Sequence, residues 1–303
     1  MKPSIFITGG AGLLGANWAN AVRNSYYTTI GLQNRQIVID DVNSCVINLG
    51  SVDCISALLK QINPSVVIHC AAMTNVDACE ASPELAHFSN VVIAQNVARA
   101  CWMHGAKLVH ISTDHVFSGS TSMMAEDDPI CPMNIYARTK AEAECLVLEA
   151  CPIAIVARTN FFGWGLPYRK SFSDQIIQSL KDSMMINLFS DAFFTPILME
   201  SLIWATHKLI DAGASGIFHI TGDERLSKYE FGLRIAHFFG FESDLIRPTL
   251  LAHRRDLTYR PLDLSLANTK LRSVVGNCLG NVDRQLQLLL AQKQSNLLIE
   301  LDG

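Results

Sequence analysis

A chain of 303 residues has room for one large domain or two modest ones, each with a sizeable core. Its net charge of -4 argues against a nucleic-acid partner, which would need a basic stripe, and no apolar run approaches the roughly 20 residues that span a bilayer. Apolar residues make up 49% and charged residues 17%, a balance that fits either a large parallel sheet or surface hidden in an oligomer such as a homodimer.

The first residues, MKPSIFITGG, enter a strand at once, so no signal peptide is expected. Further strands are expected at TTIGL (28–32), SVVIH (65–69), KLVHIST (107–113) and IAIVAR (153–158). They show little polar alternation, as expected when both faces of a parallel sheet are buried. Helical stretches lie between them. The longest, from Ser82 to Gly105, has Ser82 as its expected N-cap, Pro83 at the first helical position and Gly105 at its close. Repeated strand–helix units of this kind predict a Rossmann-type, doubly wound α/β sheet.

Near residue 163 the rhythm changes. GWGLPYRKSF reads as a loop, followed by a helix near Asp174–Lys181 and a strand at Gly216–Ile220. Ser227 and Glu230 have capping-box spacing ahead of another helix, a basic loop AHRRDLTYRP follows, and a last helix is expected around Arg284–Gln292. The expected division is a dinucleotide-binding domain of residues 1–164 with 195–222, and a smaller α/β substrate-binding domain of 165–194 with 223–303. Nine cysteines without a C-x-x-C pair read as reduced thiols of a cytoplasmic protein, and no H-E-x-x-H supports a metal centre.

TGGAGLLG (8–15) follows the first strand and opens a helix, with Gly9, Gly12 and Gly15 spaced three apart. Glycine there permits a tight turn and close approach of backbone to a pyrophosphate, while the helix N-terminus favours its negative charge. The cofactor depends on the end of the second strand. TTIGL runs into Gln33, Asn34 and Arg35 with no acid, which favours NADP(H), because an arginine accommodates the extra phosphate. If IVID were the second strand, Asp40 would take the ribose and NAD(H) would bind.

Together these residues resemble the extended short-chain dehydrogenase/reductases. CAAMTNVDACEASPE (70–84), HISTDHVFSG (110–119), IYARTKAEAE (135–144), RTNFFG (158–163) and RPLDLSLANTKL (260–271) are similar, in order, to landmarks of the dTDP-4-dehydrorhamnose reductase branch. The resemblance implies NADPH-dependent reduction of a nucleotide-linked 4-keto-6-deoxy sugar. Tyr136 would protonate the carbonyl oxygen, Lys140 one turn on would stabilise the phenolate and hold the nicotinamide ribose, and Thr113 would orient the carbonyl. Of the six tyrosines, Tyr136 alone has a lysine four places later. Asn90 would mark a helix irregularity tied to a proton-relay water. Leu13, Leu14, Ala71 and Ala72 join the glycines and Arg35 as implied cofactor contacts. Thr74, Val76, Asp114, Asn160, Phe161 and Arg260 are the implied substrate contacts, with Arg260 the expected pyrophosphate cation. Ser112, next to Thr113, should point the other way.

The chain departs from that branch at several positions. His115 replaces a tyrosine, Cys70 an asparagine, Arg138 a glycine and Phe161 a tryptophan, and FFTPIL reverses a Pro-Thr order. Asp114 is followed by histidine where the 4,6-dehydratases carry a second acid, which argues against dehydration. Two rivals stay open. One is a sugar-nucleotide 4-epimerase, and the other an NADP-binding regulatory subunit resembling the methionine adenosyltransferase β subunit.

Overall fold

The computed structural model describes residues 2–33, 35–276 and 279–294. Asn34, Cys278 and the end of the expected second domain lie outside the described residues. The strands run β1 (Ser4–Thr8), β2 (Tyr27–Leu32), β3 (Val42–Val46), β4 (Val66–His69), β5 (Lys107–Ile111), β6 (Ile155–Arg158), β7 (Phe161–Phe162), β8 (Ile186–Phe189), β9 (Phe193–Phe194), β10 (Ile197–Leu198) and β11 (Gly216–His219). Seven of them form one parallel sheet in the order β11-β6-β5-β4-β1-β2-β3.

The helices that cover it are α1 (Leu13–Val22), α2 (Val52–Ile62), α3 (Val76–Ala81), α4 (Pro83–His87), α5 (Ile93–His104), α6 (Ile135–Ala150), α7 (Phe172–Lys181) and α8 (Met199–Asp211). Alternation along each strand sends Ile5, Ile7, Ile30, Ile68 and Val109 to the face covered by α1 and α8. Phe6, Val67, Leu108 and Val156 go to the face covered by α2, α5 and α6. Both faces are buried, which is why these strands carry almost no polar alternation. The result is a Rossmann-like, doubly wound sheet between two helical layers.

The expected strand positions hold to within two residues at each end, and the edge strand β3 is an addition. Its sequence VNSCV is mostly exposed and lacks the apolar run that marks a buried strand. IVID is no strand. Ile37 and Ile39 insert into the core as the chain approaches a turn at Asp40 and Asp41, the latter with φ 61. The stretch 82–105 is not one helix but α4, a π-helical turn at Phe88–Val92, and α5, which Gly105 ends in the left-handed conformation. Ser82 makes no side-chain capping bond there.

A third apolar cluster gathers Phe162, Ile176, Leu188, Phe194, Phe231, Ile235 and Leu286. It joins α7 to α9 (Lys228–Phe239) and α10 (Val282–Gln294), with β8 paired to the strand Ile246–Thr249. Reciprocal capping boxes start α7 at Ser171 and Asp174, and α9 at Ser227 and Glu230, the second as its spacing predicts. Among the described residues, no helix is long and apolar enough to cross a membrane.

Candidate active site

The carboxyl ends of the parallel strands open onto a cavity of about 710 Å³. That is where an open doubly wound sheet binds ligands. The glycine loop forms one wall. Gly9 has φ +65, and Gly12 N donates 2.8 Å back to Gly9 O. A Cβ on Gly15 would sit 2.3 Å from that same carbonyl oxygen, and a Cβ on Gly9 would meet Ala71 N at 2.8 Å. No side chain larger than hydrogen fits either position, so loop, helix and the segment after β4 close up together. Gly9, Gly12, Leu13, Leu14 and Gly15 line the cavity, as do Ala71 and Ala72 opposite.

Gln33 and Arg35 line the far end beyond β2, where no carboxylate is present among the described residues. Asp40, the rival ribose ligand, lies in an exposed turn away from the cavity. The Arg35 guanidinium stacks 4.1 Å over the Tyr168 ring, and the Tyr168 hydroxyl donates 3.0 Å to Ala11 O in the glycine loop. Tyr168 therefore bridges the basic residue and the glycine turn, a role its place in a distant loop concealed.

Thr113, Tyr136 and Lys140 meet at the centre of the cavity, all three buried. Helix α6 is started by Asn134, whose side chain accepts from Ala137 N at 2.9 Å, and helical spacing then puts Tyr136 and Lys140 on one face. Burial pushes the Tyr136 phenol above its ordinary pKa. A hydrogen bond with Thr113 pulls it down, and Asp114 and Cys79 push it up. The Lys140 ammonium donates 2.7 Å to Ile111 O and lies 3.2 Å from His110 Nε2. Burial lowers its pKa to about 8, while Glu144 and Cys70 pull upward. Here burial, not the lysine charge, dominates the phenol. Ser112 points away, as expected, and donates 2.5 Å to Glu144.

Asn90 sits inside the π-helical turn, fully buried. Its amide accepts from Met73 N at 2.7 Å and donates to Met73 O and to Thr139 Oγ1, each at 3.0 Å. Thr139 in turn donates 2.9 Å to Tyr136 O. The irregularity expected at Asn90 thus ties the segment after β4 to the turn of α6 that carries Tyr136. Asn90→Ala strands these groups, and a loss of about 2 kcal/mol in urea unfolding is expected.

Thr74, Val76, Asp114, Asn160 and Phe161 line the other half of the cavity. Asp114 accepts from Asn160 Nδ2 at 2.6 Å and from Thr113 Oγ1 at 3.1 Å. Arg260 does not line it: its guanidinium is paired with Asp77 at 2.7 Å. Arg169 does, reaching Thr74 Oγ1 at 3.3 Å, and it comes from the loop GWGLPYRKSF. His115 packs edge-on to Tyr136 with centroids 5.6 Å apart, and burial lowers its pKa. Lys228, at the start of α9, lies 3.2 Å over Phe194; burial brings its pKa to about 7 against the upward pull of Asp114. Lys228 does not line the cavity; Arg169 does, and it was missed because loop cations are ordinarily solvated and it belongs to no motif.

A family model described as the RmlD substrate binding domain matches residues 1–295. The chain belongs to this RmlD-type family. A dTDP-4-dehydrorhamnose reductase of Mycolicibacterium smegmatis is 31% identical, over 82% of this chain and 73% of its own. The methionine adenosyltransferase 2 subunit beta of Xenopus laevis is 29% identical, over 80% of this chain and 74% of its own. Among solved structures, a dTDP-4-dehydrorhamnose reductase from Bacillus anthracis in complex with NADP superposes with a TM-score of 0.85 at 26% identity, covering 96% of this chain and 100% of that one. The RmlD-type match spans the strand ends, the glycine loop and the Tyr136 helix alike.

Proposed function

We propose that this RmlD-type chain is an NADPH-dependent reductase of a nucleotide-linked 4-keto-6-deoxy sugar, similar to dTDP-4-dehydrorhamnose reductase and acting in deoxysugar or polysaccharide precursor synthesis. The observation that carries this reading is the meeting of Thr113, Tyr136 and Lys140 beside the glycine loop in one cavity. The likeness to named reductases, one of them solved with NADP, supports it.

The residues present fit the dinucleotide. The glycine cradle leaves no room for a Cβ at Gly9 or Gly15, and Arg35 stands where the 2′-phosphate of NADP needs a cation. Gly9, Gly12, Gly15, Leu13, Leu14, Ala71, Ala72 and Arg35 would hold it, with Tyr136 and Lys140 at the nicotinamide end. When bound, the cofactor supplies a hydride to the carbonyl carbon. Tyr136 gives its phenolic proton to the carbonyl oxygen as that oxygen gains charge. Its raised pKa keeps the proton in place at neutral pH until a stronger base, the forming alkoxide, is present. Lys140 has one N–H left for the cavity and steadies the phenolate. Thr113, turning from Asp114, orients the carbonyl. Thr74, Val76, Asp114, Asn160 and Phe161 would contact the sugar, and Arg169 is better placed than Arg260 for its pyrophosphate.

The cysteines described are all free thiols, which supports a cytoplasmic setting. The apolar cluster around Phe231 draws mostly on residues 176–194 and 226–289, which supports a second unit within the division at 1–164 with 195–222 and 165–194 with 223–303, though Phe162 and Leu198 join it and Leu166, Leu271 and Leu279 pack with the sheet.

Arg35→Ser is expected to weaken NADPH binding about 10- to 100-fold and NADH binding by less than about threefold, because the lost bonds are to the 2′-phosphate alone. Fluorescence titration with both cofactors measures this. Equal losses would show that Arg35 does not select between them.

The function itself is tested by NADPH consumption with freshly made dTDP-4-keto-6-deoxy sugar and mass analysis of the product. Failure across a panel of nucleotide sugars, with NADPH binding intact, would leave the regulatory-subunit reading, whose positive sign is co-purification with a larger enzyme. A 4-epimerase is disfavoured because, among the described residues, no carboxylate lines the Arg35 end of the cavity.

A further inference from the structure

Three buried polar residues stand side by side across the sheet beneath the cavity. Thr8 on β1 pairs in register with His69 on β4, and His69 with His110 on β5. All three point to the face covered by α6. The His69 Nδ1 lies 2.7 Å from Thr8 Oγ1, and Thr8 Oγ1 also accepts from Ala71 N. The His69 and His110 rings stack with centroids 5.4 Å apart and planes at 27°. His110 Nε2 then reaches the Lys140 ammonium at 3.2 Å, while His110 Nδ1 and His69 Nε2 have no partner among the described residues.

Donor and acceptor counting decides what His110 does. An ammonium offers three N–H groups and accepts nothing. One goes to Ile111 O and one to His110, so His110 must present its Nε2 lone pair and carry its proton on Nδ1. A protonated imidazole there would place two cations in contact with no solvent between them. Burial, Lys140 and His69 all lower the His110 pKa, so the ring stays neutral. The other groups facing Lys140 are Cys70 beyond β4, and Tyr136 and Glu144 on its own helix. Glu144 is occupied by Arg158 and Ser112.

The geometry points to His110 as the positioning residue of Lys140: its Nε2 lone pair pins the ammonium to the cavity floor and keeps it protonated, with His69 stacked behind to hold the ring. The functional weight of this contact rests on the reductase reading, in which the lysine charge steadies the phenolate. Without that acceptor the ammonium keeps its bond to Ile111 O and the pull of Glu144 and Cys70 but loses one hydrogen bond to its charged form, so desolvation weighs more and the proton is lost at lower pH.

The test is a direct titration of Lys140 in the full chain, by the NMR shift of 13Cε-labelled lysine, with Lys140→Met used to assign the signal. The parent should titrate near the value of about 8 that burial imposes. His110→Gln keeps an acceptor and should stay within about 0.3 pH units. His110→Leu or His110→Phe, whichever folds, should titrate about one unit lower, the scale of a lost hydrogen bond to a charged group. The alkaline limb of kcat should move with it, since the active form is the ammonium and activity falls as pH rises through its pKa. An unchanged midpoint in the apolar variants, or an equal shift in His110→Gln, would overturn the assignment. Absence of turnover by the parent would sink the reductase reading instead, and the titration would still decide His110.

Discussion

Replacing Tyr136 with phenylalanine is expected to lower kcat for keto-sugar reduction by about 100- to 10,000-fold, the range carried by a positioned proton donor. The phenol is buried, so its ring remains a packing element against Val76, Cys79 and Ala86, and phenylalanine preserves that contact. What is lost is the hydroxyl, along with its hydrogen bond to Thr113. NADPH affinity should therefore change by less than about threefold, since the glycine cradle and Arg35 are untouched. Single-turnover reduction followed with enzyme in excess separates chemistry from product release. Retention of more than about a tenth of the parent rate would move the proton donor elsewhere. His115, whose ring meets Tyr136 edge-on in the same cavity, would then be the first residue to replace.

The largest expected effect on stability lies just behind the site. Arg158 on β6 donates from Nε and Nη2 to both carboxylate oxygens of Glu144 on α6, at 2.7–3.1 Å, with both side chains almost fully buried. Arg158→Leu leaves the Glu144 carboxylate with a single hydrogen bond, from Ser112, inside a dry layer. Removing one partner of a buried pair costs about 3–5 kcal/mol because the other charge stays desolvated and unpaired. For a chain of 303 residues the melting temperature should fall by about 5–8 °C. Arg158→Leu combined with Glu144→Leu should recover much of the loss, because no charge then remains to be buried. A double variant no more stable than Arg158→Leu would assign the cost to packing against Phe117, over whose ring the guanidinium sits.

Local chemistry made much of this molecule legible. The buried strands announced themselves as short β-branched runs, and Ser227 with Glu230 and Gly105 marked helix ends that the structure keeps. The meeting of the glycine loop, Thr113 and Tyr136 could be expected because each sits at or just beyond the carboxyl end of a strand or at a helix start, and a doubly wound sheet gathers those ends on one side. The strand β3 was not legible, since an exposed edge carries no apolar run. The π-helical turn at Phe88–Val92 was implied at Asn90 by the family resemblance and not by local chemistry, since it rests on Asn90 bonding to Met73 and Thr139, remote in sequence.

The sequence by itself determined the layered parallel sheet, the glycine cradle and the Tyr136–Lys140 spacing, because these follow from side-chain periodicity and from backbone conformations that glycine alone adopts freely. Tertiary structure decided which cations line the cavity. Arg260 is drawn to Asp77 while Arg169 enters the cavity, an outcome set by which carboxylates the fold brings within reach. It also decided the setting of Lys140. Three strands bring Thr8, His69 and His110 into one row beneath it, and only their burial together turns ordinary strand residues into the floor of the site.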